Sequence, residues 1–212
     1  MTNVYKTPDK VELKRRLFEI GVQALKDSGY RVGRAGGGSS VRQVTKDGEK
    51  PKLVSIRTTQ DRAIAFPPKS GGGWRTLDDV DMVVAVSVDD KETPRYAWVH
   101  FLDGADMRDR FNRTYQARKS AGLKLPNGRG VWLSLYKEES WDEPRRVGAG
   151  AGLVNPKVAV VPLDRNGGGS LPTSPASRPA EQSDRLTIAE AKRRLAASLG
   201  IDESSIKISV EA

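Results

Sequence analysis

The chain has 212 residues, of which 36 are Lys or Arg and 27 are Asp or Glu, giving a formal net charge of +9. At 37% hydrophobic and 30% charged, it can build one core while much of the chain stays solvated. Cysteine is absent and histidine occurs once, as His100, which excludes disulfides, thiol catalysis, Cys-ligated zinc and iron–sulfur clusters. Carboxylates, with or without Mg2+, and lysine remain for chemistry. No apolar run approaches the ~20 residues of a bilayer span, and no signal-like apolar stretch follows Met1, so the expected compartment is the cytosol. The basic balance points to an anionic partner, nucleic acid first.

A helix is expected from Thr7. Pro8 suits its first position and Asp9 its positive end. Leu13, Leu17, Ile20 and Ala24 recur at helical spacing, Phe18, Val22 and Leu25 widen the stripe, and Gly29 stops it. Glu12, Arg15, Arg16, Glu19 and Lys26 take the other faces. The glycine-rich stretch Gly29–Ser40 lacks the G-K-S/T ending of a P-loop and reads as a mobile connection. Strands follow at Ser40–Thr45 and Lys52–Thr58, joined by Lys46-Asp47-Gly48-Glu49, a strong hairpin signal. Arg62–Phe66 reads as a short strand, ended by Pro67-Pro68 and Gly71-Gly72-Gly73. Met82–Val88 is nearly all apolar and β-branched, as in a strand buried on both faces. Tyr96–Leu102 alternates, Met107–Ser120 reads as a helix, and Gly130–Tyr136 as an edge or closing strand. This order predicts an α+β fold, a single mixed β-sheet flanked by helices, over residues 1–163.

Beyond it, 164–185 is rich in Gly, Pro and Ser and reads as a flexible linker. In 186–212, Thr187 and Glu190 form a capping box. Ile188, Ala191, Leu195 and Leu199 give a helical stripe up to Gly200, and Ile206, Ile208 and Val210 alternate as a strand. This small tethered helix–strand unit is expected to dock on the core, in a homodimer or on a protein partner. Residues 165–212 hold 7 basic and 6 acidic groups, so the positive charge belongs to the preceding domain.

Three features come in sequence: a long helix ending in DSGYRV, a hairpin whose second strand is KLVSIRTT, and the turn and apolar strand WRTLDDVDMVVAVSV. In this order residues 8–136 resemble the core of the PD-(D/E)XK, or restriction-endonuclease-like, superfamily. The resemblance implies a nuclease-like fold. Active members hold Mg2+ with a carboxylate on the first hairpin strand and an acid on the second, and a lysine two residues on helps the attacking water. Here Arg42 and Gln43 stand on the first strand, Ser55 takes the place of the acid and Arg57 that of the lysine. The implied protein grips nucleic acid, DNA before RNA, without cutting it and without a metal cofactor.

Arg34, Arg42, Arg57 and Arg62 cluster around the hairpin, and Arg110, Arg113, Arg118 and Lys119 form a row on the second helix; these are the candidate phosphate contacts. Were Arg42 and Arg57 to face one another across the hairpin, they could not both be buried without anions. Asn112 and Gln116 are candidates for base edges, and Trp74, Trp132, Tyr136 and Trp141 for stacking, with Trp132 and Tyr136 better suited to packing in the sheet. Asp78 and Asp79 read as capping and turn groups, Asp81 as a structural group just before the buried strand, and His100 as a packed or surface side chain. Two alternatives stand beside this reading. One is an active Mg2+-dependent nuclease using the displaced carboxylates Glu19, Asp47 and Glu49. The other is a protein-interaction adaptor acting through 186–212.

Overall fold

The computed structural model describes residues 7–36, 40–125 and 130–163; the expected linker and C-terminal unit lie outside them. The fold is α+β. A mixed six-stranded sheet is built from β1 (Arg31–Arg34), β2 (Val41–Thr45), β3 (Lys52–Thr59), β5 (Met82–Val88), β6 (Tyr96–Asp103) and β8 (Ala159–Pro162), in that spatial order. Neighbours run antiparallel except β3 and β5, which are parallel. Between them the chain crosses one face through β4 (Ala63–Phe66) and a 3-10 turn at Leu77–Asp79. β4 pairs with β7 (Val131–Ser134) in a separate two-stranded ribbon, so these two expected strands meet each other and not the main sheet.

Two apolar layers sandwich the sheet. On one face lies α1 (Pro8–Asp27), whose Leu17, Ile20, Ala24 and Leu25 pack on Val44, Val54, Ile56, Val84 and Val86. Gly21 permits the close approach, because a Cβ there would come within 2.9 Å of Val86 Cγ2. On the other face lie the ribbon and α2 (Gly104–Ser120). Ile64, Phe66, Val131, Leu133, Met107 and Phe111 cover Val83 and Ala85 there. β5 is thus buried on both sides, as its unbroken apolar run requires.

Local chemistry sets the boundaries. Gly29 takes φ +86° just past α1, and Gly48 takes φ +79° in the β2–β3 turn. α2 begins at Gly104, three residues earlier than the apolar spacing suggests, because Asp103 caps it. Asp103 Oδ1 accepts from the amides of Ala105 (2.8 Å) and Asp106 (2.9 Å). Gly104 itself leaves no room for a side chain, since a Cβ would sit 2.6 Å from the Val80 carbonyl oxygen.

Three elements depart from the sequence expectation. Part of the glycine-rich stretch is strand β1, paired with β2 in the register Arg31↔Thr45 to Arg34↔Arg42. The stretch after β7 forms a short α3 (Ala151–Val154) and then β8, which pairs with β6. Arg16 fastens the end of β8 to α1, donating to the carbonyls of Leu163 (2.9 Å) and Pro162 (3.0 Å). Among the described residues no helix is long and apolar enough to cross a membrane.

Candidate functional site

A groove of ≈ 680 Å³ opens between the first half of α1 and the start of β2. It exists because β3 outruns β2. Val41 is the last register partner, opposite Ser55, and the Ile56 amide still reaches the Ser40 carbonyl at 2.8 Å. Lys14, Arg15, Arg42 and Arg57 line the groove, with Ser40 and Thr58 as hydroxyls and Val11, Phe18 and Ile56 as apolar surface. The Arg42 guanidinium lies 4.9 Å from the Phe18 ring centroid, and its Nη1 donates to its neighbour Val41's carbonyl at 2.8 Å. Arg15 faces Glu19 at 3.9 Å, both well exposed, so water screens that pair.

Arg42 and Arg57 do not face each other. Arg42 registers with Val54, on the α1 face, whereas Arg57 lies on the opposite face with its guanidinium 4.2 Å from the Phe66 ring centroid. Burial pushes the Arg57 pKa below its ordinary value. Its Nε is shielded and has no hydrogen-bond partner, and no carboxylate pairs with it among the described residues. Ser55, in the place of the implied metal-binding acid, is fully buried with an unpartnered Oγ.

The expected row on α2 is tied up within the protein. Arg110 holds Asp106 at 2.8 Å and the carbonyls of Gly148 (3.3 Å) and Ala149 (3.0 Å). Arg113 pairs with Asp109 at 2.8 Å and with Glu139. Burial works against its charge, but these carboxylates outweigh it and raise its pKa. Arg118 donates to the carbonyls of Trp132 (2.5 Å) and Arg145 (3.4 Å). Its pKa is lowered, by burial first and then by the Arg145 charge. Lys119 is exposed at the end of the helix, and Arg34 is exposed at the sheet edge, directly opposite Arg42 in the register. Asn112 Oδ1 accepts from Trp74 Nε1 at 2.8 Å, and Trp74 is buried, which removes that indole from a stacking role. Trp132 points outward, contrary to its expected packing in the sheet, and Trp141 is exposed.

The displaced carboxylates each face a separate cation. Asp47 bonds Arg31 at 2.7 Å, Glu49 bonds Lys52 at 2.6 Å, and Glu19 faces Arg15. No group of three or more His, Asp or Glu gathers in ligand geometry among the described residues. Asp78 and Asp81 are engaged in hydrogen bonds within the fold. Asp78 accepts from the Trp74 amide (2.7 Å) and Lys69 (3.1 Å), and Asp81 from the Leu53 amide (2.7 Å).

A second polar cluster lies on the face opposite α1. His100 is fully buried, with Nδ1 2.9 Å from the Asn155 carbonyl and Nε2 3.0 Å from Tyr136 Oη. A carbonyl only accepts, so the ring proton sits on Nδ1. Nε2 therefore accepts from the Tyr136 hydroxyl, which in turn accepts from Ser87 Oγ at 2.6 Å. Burial is the main cause that depresses the His100 pKa; its bond to Asn155 opposes this, and the Lys157 charge adds to the depression. Burial likewise raises the Tyr136 pKa, against the pull of Ser87 and Arg62. Arg62 stands over both Tyr136 (4.6 Å) and Trp98 (5.3 Å), and Lys157 over Trp98 (4.3 Å). Sequence spacing gives no hint of this network, because Ser87 and Tyr136 are 49 positions apart. The groove had one legible signal: adjacent Lys14 and Arg15 one turn before Phe18 on the same helix.

A scan against protein-family models finds no match, and searches of curated proteins and of solved structures find none either.

Proposed function

We propose that the protein binds nucleic acid through the groove between α1 and the β2–β3 hairpin and does not cleave it. The observation that carries this reading is the convergence of Lys14, Arg15 and Arg42 on one open groove with an apolar floor, while the Arg57 guanidinium turns to the other face of the sheet. Phosphates would meet the cations, and Phe18 and Ile56 would offer apolar contact to sugar or base. Arg34 extends the cationic edge. The α2 arginines leave the list of contacts, because their donors are engaged by carbonyls and carboxylates. What supports a degenerate nuclease-like domain is the helix-first order of elements, together with a buried Ser55 and a ring-stacked Arg57 in the seats of an acid and a lysine. The preference for DNA over RNA belongs to the same proposal.

The test is fluorescence anisotropy of the full chain with labelled duplex and single-stranded DNA and RNA at 50 and 200 mM salt. Binding should weaken by a factor of about ten or more over that range if several phosphates are neutralised. Arg15→Glu and Arg42→Glu should each reduce affinity for every sequence alike. Absence of binding at low salt, or affinities untouched by both variants, removes the proposal. Incubation of the same oligonucleotides with Mg2+ or Mn2+ separates binding from cutting. Cleavage that Glu19→Ala, Asp47→Ala or Glu49→Ala abolishes would favour the nuclease alternative.

A further inference from the structure

Arg62 is placed with unusual care for a residue that pairs with nothing acidic. Its backbone takes φ +56°, a region that disfavours any residue with a Cβ. The corner around it is pinned from three directions. The Leu135 amide donates to the Arg62 carbonyl at 3.0 Å, and the Asp61 and Ala63 amides donate to Thr59 Oγ1 at 3.2 and 3.3 Å. The guanidinium then lies across Tyr136 and Trp98, which are themselves locked edge to face with centroids 5.3 Å apart. Tyr136 is fixed in turn by Ser87 and His100.

A second cation, the exposed Lys157, sits over the same indole. The carboxylate next in sequence, Asp61, is taken by Lys91 at 3.2 Å. Among the described residues no carboxylate pairs with Arg62 or Lys157, so the Trp98 indole carries two positive charges without an acidic partner. A preorganised, planar, uncompensated guanidinium is the side chain suited to bidentate recognition of an oxyanion. The Tyr136 hydroxyl contributes no donor to a ligand, since its proton is committed to His100. Two uncompensated charges and no neutral donor match a dianion better than a monoanion.

We propose that Arg62 and Lys157 form a binding site for a phosphomonoester group, held against the Trp98–Tyr136 corner. The site lies on the face of the sheet opposite the α1 groove and does not depend on the nucleic-acid reading. The monoester can belong to a free nucleotide or to the end of a nucleic-acid strand. Both present the same dianionic headgroup, and a backbone diester, with one charge, does not.

The experiment uses the full chain and follows the 1H–15N signals of Arg62 Nε and Trp98 Nε1. Inorganic phosphate, adenosine monophosphate and sodium chloride at matched ionic strength are titrated separately. The expected result is a saturable shift with phosphate and with the nucleotide but not with chloride. Arg62→Gln and Lys157→Gln should each weaken the apparent Kd by about tenfold or more, and the groove variant Arg42→Glu should leave it unchanged. A 5′-phosphorylated oligonucleotide that binds more tightly than its 5′-hydroxyl twin, with the difference lost in Lys157→Gln, assigns the site to strand ends. Equal affinities for the twins, with saturable binding of the nucleotide, assign it to free monoesters. If Arg62→Gln fails to fold, Lys157→Gln carries the test. Shifts that match chloride, or a Kd indifferent to Lys157→Gln, overturn the proposal. Loss of oligonucleotide binding in Arg42→Glu alone bears on the groove and not on this site.

Discussion

Tyr136→Phe should be among the more damaging conservative changes in the domain. The phenyl ring keeps its packing against Trp98 and beneath Arg62, so what the change removes is the hydroxyl. That oxygen serves two groups that are both 0% exposed, Ser87 and His100. Without it, the Ser87 hydroxyl loses its acceptor and His100 Nε2 loses its donor. Each buried group left unpaired costs about 1–3 kcal/mol, so the total should be about 3 kcal/mol after partial relaxation. With a urea m-value of about 2 kcal/mol/M, the unfolding midpoint falls by roughly 1.5 M at unchanged m. Ser87→Ala should cost only about 1 kcal/mol, because Tyr136 still donates to His100. In the double variant the Ser87 hydroxyl is no longer stranded, so the two losses should fall short of their sum by about 1 kcal/mol. A Tyr136→Phe protein within about 0.5 kcal/mol of the parent would refute the assigned directions of these hydrogen bonds and the burial argument behind them.

The same network predicts a pH dependence whose sign follows from linkage. The His100 pKa is lowered from its ordinary 6.5 in the folded protein, so near and below that pH the unfolded chain takes up a proton the folded chain refuses. Stability is therefore complete above about pH 6.5 and is lost as pH falls, by at most about 1.4 kcal/mol per pH unit. His100 is the one histidine, so denaturation midpoints at pH 7.5, 6.5 and 5.5 should show this slope in the parent and a flatter one in His100→Gln; equal slopes refute it. Asp103→Ala should remove the cap of α2 at a cost of about 1 kcal/mol, read as a lower thermal midpoint with the helical circular dichroism of the folded state retained. No loss of stability would mean that other groups satisfy those amides.

Much of the fold was written locally. The apolar stripe of α1, the Asp47-Gly48 turn and the β-branched run of β5 each state their own conformation, because period and turn chemistry act over a few residues. β1, α3 and β8 were illegible for the opposite reason. Glycine-rich strands and four-residue elements carry no periodic signal, and β1 and β8 find their backbone partners on the edges of β2 and β6. The sequence likewise named Arg42, Arg57 and Arg62 as cations of interest, but charge does not say which face of a sheet a residue takes or who waits there. Register put Arg42 and Arg57 on opposite faces. Carbonyls from the 148–149 turn and strand β7 claimed Arg110 and Arg118, and the carboxylates of Asp109 and Glu139 claimed Arg113. The chain alone thus determined α1, the β2–β3 turn and β5, and how much positive charge the domain carries. Only the tertiary structure decided which of those charges are spent inside the protein, because pairing depends on residues brought together from distant parts of the sequence.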